Sequence, residues 1–196
     1  MTKHLSILGS TGSIGSQALE VVEKCGCSVD SLSAHRNTVL LEQQARQFLP
    51  RYVVIADEGY YSDIKTRLRD TNIRILTGMD GLCEAASLPE TNIVLNALIG
   101  TVGILPTVAA IRAGKPLALA NKETLVSGGE YIVQLAKQHC VPILPVDSEH
   151  AAIFQCLEGR EQESVKKLIL TASGGPFFGY DKKSLEKVTI SQALVH

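Results

Sequence analysis

The stretch His4-Leu-Ser-Ile-Leu-Gly9-Ser-Thr-Gly12-Ser-Ile-Gly15 runs a short apolar strand into three glycines and on into a segment of helical period. Strand, glycine turn, helix is the order that a phosphate-binding βα unit requires. Glycine lets the backbone turn sharply and approach a pyrophosphate, and the N–H groups that open a helix supply donors and the positive end of its dipole. The spacing is G-x-x-G-x-x-G, so Gly12 and Gly15 take the last two places of the dinucleotide fingerprint and the first glycine falls one residue early. An ordinary strand-to-helix turn would use the same glycines. Their place directly behind the first strand favours the cofactor.

Working outward, short apolar runs rich in branched residues alternate with stretches of helical period. Strands are predicted at His4–Leu8, Val29–Ser33, Tyr52–Ala56, Ile73–Leu76, Ile93–Ala97, Leu117–Ala120 and Ile143–Val146. Helices are predicted over Ile14–Lys24, Val39–Phe48, Tyr61–Arg69, Leu105–Ala113 and Gly129–His139. The alternation predicts an α/β chain with a Rossmann-like, mostly parallel sheet and helices on both faces. After Val146 the character changes to a polar DSEH (147–150), an amphipathic AAIFQCL (151–157), a charged EGREQES (158–164), a strand-like KKLILT (166–171) and a final helical ISQALVH (190–196). Residues 1–146 are therefore expected to form the nucleotide domain. Residues 147–196 are expected to begin an α+β catalytic domain that cannot close a core by itself and is truncated.

Composition bounds the partners. Lysine and arginine total 19 against 20 aspartate and glutamate, a net charge of -1 that offers no broad basic field to nucleic acid or an anionic membrane. Phosphate binding must be local. Five cysteines, Cys25, Cys27, Cys83, Cys140 and Cys156, show no paired Cys-x-x-Cys spacing and fit free thiols in a reducing compartment. The start lacks a signal-peptide core, and no apolar run approaches the ~20 residues of a membrane span, so a cytoplasmic protein is expected.

Four further clusters follow predicted strands. Ser33-Ala-His-Arg36-Asn37 ends the second strand, where an acid would select NAD; Arg36 instead offers a guanidinium to a 2′-phosphate, which favours NADP, and Asn37 alternatively caps the next helix. Asn121-Lys122-Glu123 follows the sixth strand. Lys122 there suits a substrate phosphate, while Asn121 as a helix cap and Glu123 as a first-turn acid are the plain alternative. In Asp147-Ser-Glu149-His150, residues two apart on an extended segment face one side, so Asp147 and Glu149 would present hard oxygens to Mg²⁺ or Mn²⁺; helix capping is again the alternative. Thr171-Ala-Ser173-Gly-Gly-Pro-Phe177 offers a hydroxyl beside two glycines, or a plain turn.

Taken in order, GSTGSIG (9–15), the basic end of the second strand, LANKETLV (119–126), PVDSEHAAIFQ (145–155) and TASGGPF (171–177) resemble the 1-deoxy-D-xylulose 5-phosphate reductoisomerases from Leu8 to His196. The resemblance implies an NADPH-dependent, divalent-metal-dependent oxidoreductase. Such an enzyme isomerises and reduces 1-deoxy-D-xylulose 5-phosphate to 2-C-methyl-D-erythritol 4-phosphate in the non-mevalonate isoprenoid pathway, as a homodimer. It implies cofactor-phosphate contacts from Thr11, Gly12, Ser13 and Ile14, adenosine contacts from Arg36 and Asn37, and further cofactor contacts from Asn121 and Glu123. It implies substrate contacts from Lys122, Ser148, Ser173 and His196, with Asp147 and Glu149 as two of three carboxylates on Mn²⁺ or Mg²⁺. The third carboxylate, the lid and the carboxyl-terminal helical domain fall downstream of His196 in the family. The chain is therefore expected to bind NADPH and turn over little or no substrate. His35-Arg36 departs from the Gly-Lys that relatives often carry. The alternatives are an NADP-binding module without catalysis, or another NADP-dependent dehydrogenase with Cys140 or Cys156 as nucleophile; Cys156 reads more like a core position.

Overall fold

The computed structural model describes residues 3–169 and 175–195. The chain divides into two compact units, Met1–Asp147 and Ser148–His196.

The first unit alternates strand and helix. Its strands are β1 (His4–Leu8), β2 (Ser28–Ala34), β3 (Tyr52–Ile55), β4 (Arg74–Thr77), β5 (Ile93–Asn96), β6 (Leu117–Leu119) and β7 (Ile143–Pro145). Its helices are α1 (Ser13–Cys25), α2 (Thr38–Phe48), α3 (Tyr61–Arg67), α4 (Gly78–Ala86), α5 (Ile104–Arg112) and α6 (Lys122–Gln138). Every strand pairing is parallel, in the order β4-β3-β2-β1-β5-β6-β7. Alternation within the strands supplies two cores. Ile7, Leu32, Val53 and Ile55 meet Leu19 and Val22 of α1, Leu41 and Ala45 of α2 and Ile64 of α3. Leu8, Val54, Val94 and Leu117 meet Leu82 and Ala85 of α4 and Ala110 of α5 on the opposite side. These strands are apolar on both faces because helices cover both, as parallel βαβ connections require.

Two elements of this unit differ from the sequence-based expectation. The helix α4 was not predicted, since its sequence GMDGLCEAA hides the apolar stripe behind small residues. One of them, Gly81, packs so closely that a Cβ would stand 2.9 Å from Leu76 Cβ. The helix α6 begins at Lys122 rather than Gly129, because the chain continues through a kink at Gly128 (φ −129°, ψ 16°).

In the second unit, α7 (Ser148–Leu157) is followed by the short helices α8 (Lys182–Leu185) and α9 (Ile190–Ala193). Lys166–Ile169 form no strand, so the strand-like reading of this run fails over its described part. Among the described residues of this unit no hydrophobic side chain is buried. A branched apolar run becomes a strand only when a neighbour pairs with it and a layer covers it. No described segment does either here.

An ionic network ties α2 to α3. Arg46 bonds Glu42 at 3.0 Å and Asp70 at 2.9 Å, and Arg67 bonds Glu42 at 3.1 Å and Asp63 at 3.0 Å. Hydrogen bonds from Arg46 hold Glu42 and Asp70 below their ordinary values, and the Thr38 hydroxyl, then Arg67, does so for Asp63. Carboxylates with depressed folded values contribute stability that is complete above the unfolded range of about 4 to 4.5. They lose it as pH falls through the folded values. Urea midpoints should therefore hold level down to about pH 5 and drop from there to about pH 3, and Glu42→Gln should narrow that drop. An undiminished drop in the variant would remove the network as its cause.

Candidate functional site

The order of the sheet creates the site. From β1 the chain steps outward through β2 and β3 to β4, then returns to lay β5 on the other side of β1. The loops leaving β1 and β5 therefore diverge to opposite faces, and a crevice opens between them at the carboxyl edge of the sheet.

The three glycines of the first loop do different work. Gly9 has φ +84°, and a Cβ there would stand 2.6 Å from the Ala97 carbonyl oxygen at the end of β5. A Cβ on Gly15 would stand 2.2 Å from the Gly9 carbonyl oxygen, so α1 meets its own loop in direct backbone contact. Gly12 is unlike both. It caps α1 with φ −82° and ψ 172°, which any residue adopts, and a Cβ would meet only the Gly9 carbonyl oxygen at an ordinary 3.4 Å. Nothing within the described chain requires glycine at 12. The helix behind it has no side-chain cap and no acidic residue in its first turn, and Ser13 and Ile14 are exposed. Its first N–H donors thus face an open, side-chain-free approach.

A buried clamp fixes the loop. Gln44 of α2 accepts from the Ser10 hydroxyl at 2.7 Å and donates to the Ser10 carbonyl at 2.9 Å. On the other side, Ser33 Oγ accepts from the Gly9 N–H and its carbonyl from the Ser10 N–H, both at 2.8 Å. Sequence reasoning missed Gln44, although it falls on the apolar stripe with Leu41 and Ala45, where a polar side chain signals a specific partner.

The predicted residues divide into engaged and available. Asn37 caps α2 by accepting from the Leu40 N–H at 3.1 Å, and exposed Arg36 donates through Nε to Asp57 at 2.7 Å. Asn121 is buried and fully bonded. It accepts from the Thr124 N–H at 2.8 Å and donates to the carbonyls of Leu98 at 2.6 Å and Gly100 at 2.8 Å. The helix-cap alternative thus describes the side chains of Asn37 and Asn121, and Asn121 also pins the loop after β5. That loop, with its Gly100–Gly103 turn and exposed Ile99, borders the crevice and was missed because its neighbour β1 is remote in sequence. Lys122 is exposed and Glu123 half-buried in the first turn of α6.

Asp147, half-buried, follows β7, and exposed Ser148 and Glu149 open α7. The extended geometry used to converge Asp147 and Glu149 is therefore corrected, because the backbone is helical from Ser148 onward and successive residues turn by about 100°. Within the second unit Ser148 and Glu149 line a cavity of about 780 Å³ together with Ile153, Cys156 and Leu157 of α7 and Leu168. Cys156 is exposed rather than in a core, and Cys140 is exposed too. Ser173 and His196 lie outside the described residues. No group of three or more metal-ligating side chains is found among the described residues. The oxygen donors of Asp147 and Glu149 nonetheless suit Mg²⁺ or Mn²⁺, which take one or two carboxylates and complete the sphere with water or substrate oxygens.

Doubly wound topology with a glycine loop at its switch point defines a Rossmann-like domain. The family of 1-deoxy-D-xylulose 5-phosphate reductoisomerase matches residues 5–129, and the C-terminal domain of the same enzyme matches residues 143–196. The chain belongs to the 1-deoxy-D-xylulose 5-phosphate reductoisomerase family. It is 51% identical over 195 residues to the reductoisomerase of Agathobacter rectalis, covering 99% of this chain and 51% of that protein. It is 50% identical over 196 residues to that of Bacteroides fragilis, covering 99% and 50%. The Zymomonas mobilis reductoisomerase solved in complex with NADPH has a TM-score of 0.87 at 39% identity, over 100% of this chain and 52% of that one. A reductoisomerase in complex with NADPH, fosmidomycin and magnesium has a TM-score of 0.83 at 34% identity, over 97% and 50%. The chain thus spans about half the length of the relatives it matches.

The glycine geometry predicts an unequal response to alanine. Gly15→Ala should lower stability by about 1 to 3 kcal/mol through backbone overlap. Gly12→Ala should stay within about 1 kcal/mol of the parent. Equal losses in urea denaturation would show that Gly12 is glycine for a reason inside the fold.

Proposed function

We propose that this chain supplies the NADPH-binding half and part of the metal and substrate site of a 1-deoxy-D-xylulose 5-phosphate reductoisomerase. Residues 1–146 act as the coenzyme domain and 147–196 begin the catalytic one. The observation that carries the coenzyme assignment is Gly12, a glycine with no conformational or packing need, at the uncapped start of α1. Its lack of a side chain makes sense for an outside occupant, and a pyrophosphate matches the donors there. Relatives solved with NADPH and with magnesium support the same assignment.

When bound, NADPH supplies hydride and the divalent cation supplies Lewis acidity toward carbonyl and hydroxyl oxygens. The chain's own residues hold and orient. Backbone N–H groups of Thr11, Ser13 and Ile14 receive the pyrophosphate over the side-chain-free Gly12, whose own N–H donates to the Gly9 carbonyl at 3.1 Å, and Arg36 meets the 2′-phosphate with a planar, permanently charged fork. Asn121 keeps the β5 loop and the start of α6 in place, with Glu123 toward the coenzyme and the Lys122 ammonium toward a phosphorylated sugar. Asp147 and Glu149 offer oxygen donors to Mg²⁺ or Mn²⁺, and Ser148 offers a hydroxyl to substrate; Ser173 and His196 join it by resemblance. A homodimer is inferred from the family, and a cytoplasmic location from five cysteines that are all unpaired. No described helix is long and apolar enough to cross a membrane.

Titration of the 196-residue chain with NADPH and NADH tests the coenzyme assignment. NADPH should bind at least about tenfold more tightly, Arg36→Ala should erase most of that preference, and Gly12→Ala should weaken both coenzymes. Equal binding of NADPH and NADH by the parent protein would overturn it. The metal assignment is tested by Mn²⁺ titration followed by electron paramagnetic resonance. Asp147→Asn and Glu149→Gln should each weaken Mn²⁺ binding, and undiminished binding in both variants would remove these residues from the metal.

A further inference from the structure

Arg36 does not project freely from its turn. The loops after β2 and β3 are laced together beyond their strands, with the Ala56 N–H donating to the Ala34 carbonyl at 2.9 Å and the Asp57 N–H to the His35 carbonyl at 3.1 Å. This lacing brings Asp57 beside Arg36. One carboxylate oxygen of Asp57 accepts from the Gly59 N–H at 3.0 Å, capping the turn Glu58–Tyr60, and the other accepts from Arg36 Nε at 2.7 Å. The carboxylate is thus anchored at both ends, and it takes the guanidinium by Nε alone. The two terminal nitrogens, which form the fork that fits a phosphomonoester, are left on a side chain that is 62% exposed.

The position of Asp57 sharpens its meaning. A carboxylate near the second strand ordinarily favours NAD, because it accepts from the free ribose hydroxyls. Here both oxygens already accept hydrogen bonds from the protein. We propose that Asp57 is the positioning residue for coenzyme choice: by holding Nε it orients Arg36 toward a 2′-phosphate, and with both oxygens already accepting bonds from the protein it is a weaker acceptor for a 2′-hydroxyl than a free carboxylate. The proposal rests on the NADPH assignment above.

The test is a double-mutant cycle read by binding. Asp57→Asn retains an acceptor for the Gly59 N–H and removes the charge that holds Arg36, and Asp57→Ala removes both. NADPH and NADH dissociation constants are measured for the parent, Asp57→Asn, Asp57→Ala, Arg36→Ala and the Asp57→Asn/Arg36→Ala pair, with thermal melts to confirm folding. Asp57→Asn should weaken NADPH about tenfold and leave NADH within about twofold, and in the Arg36→Ala background it should change NADPH by less than about twofold. A residue that merely supported the loop would weaken both coenzymes together and would do so in either background. Unchanged or tighter NADPH binding in Asp57→Asn, with selectivity still lost in Arg36→Ala, overturns the role of Asp57 and leaves the NADPH assignment intact. Selectivity unaffected by either substitution overturns both.

Discussion

Backbone touches backbone where β1 and β5 end, and the site depends on that closeness. At Gly9 the chain passes the Ala97 carbonyl with no room for a side chain, as parallel pairing of β1 with β5 requires when the two following loops must part toward opposite faces. A larger residue would force the loops apart at the level of the last ladder bonds, the Ala97 N–H to the Leu8 carbonyl at 2.9 Å among them. The next contacts are stacked on this one. Ser10 is held between Ser33 of β2 and Gln44 of α2, and Gly15 brings α1 against the carbonyl of Gly9 itself. The loop is therefore set by the sheet on one side and by two helices on the other before any ligand arrives, which lowers the ordering cost of binding.

The parts legible in the sequence are those in which a residue's own neighbours decide its structure. The strand β1 falls at His4–Leu8 as predicted, and the other six strands begin or end within a residue of their predicted limits, because each is a branched apolar run bounded by a turn. Strand order was not legible, since Val, Ile and Leu carry no label for their partner. The loop after β5 was missed for that reason: only the return of β5 to the side of β1 gives it a place at the crevice. The helix α4 escaped because Gly78, held at φ +67°, and Gly81, packed against Leu76 of β4 and Val54 of β3, blur the helical period. Gln44 and Asp57 were overlooked on different grounds, one a single polar residue in an apolar stripe and the other a loop acid whose partner Arg36 is 21 residues away. Local pattern also misled in the second unit. Lys166–Ile169 have strand composition without a described partner, and Cys156 has apolar neighbours in sequence yet is exposed.

Glycine count is a poor guide to where phosphate binds, and capping is a better one. Three helices open directly behind strands that border the crevice or its flanks, α1 after β1, α2 after β2 and α6 after β6. Both α2 and α6 close their first turns with an asparagine side chain, Asn37 and Asn121, and α6 adds Glu123 to that turn. An oxygen already bonded to the N2 or N3 donor lowers the pull on an incoming anion, and a carboxylate in the same turn opposes it. Only α1 of the three has neither. With a net charge of -1 the whole protein exerts no general attraction on phosphate, so the local difference in helix termini has to decide. Of these three termini α1 alone leaves its first donors open to an anion, and it does so at the switch point of the sheet.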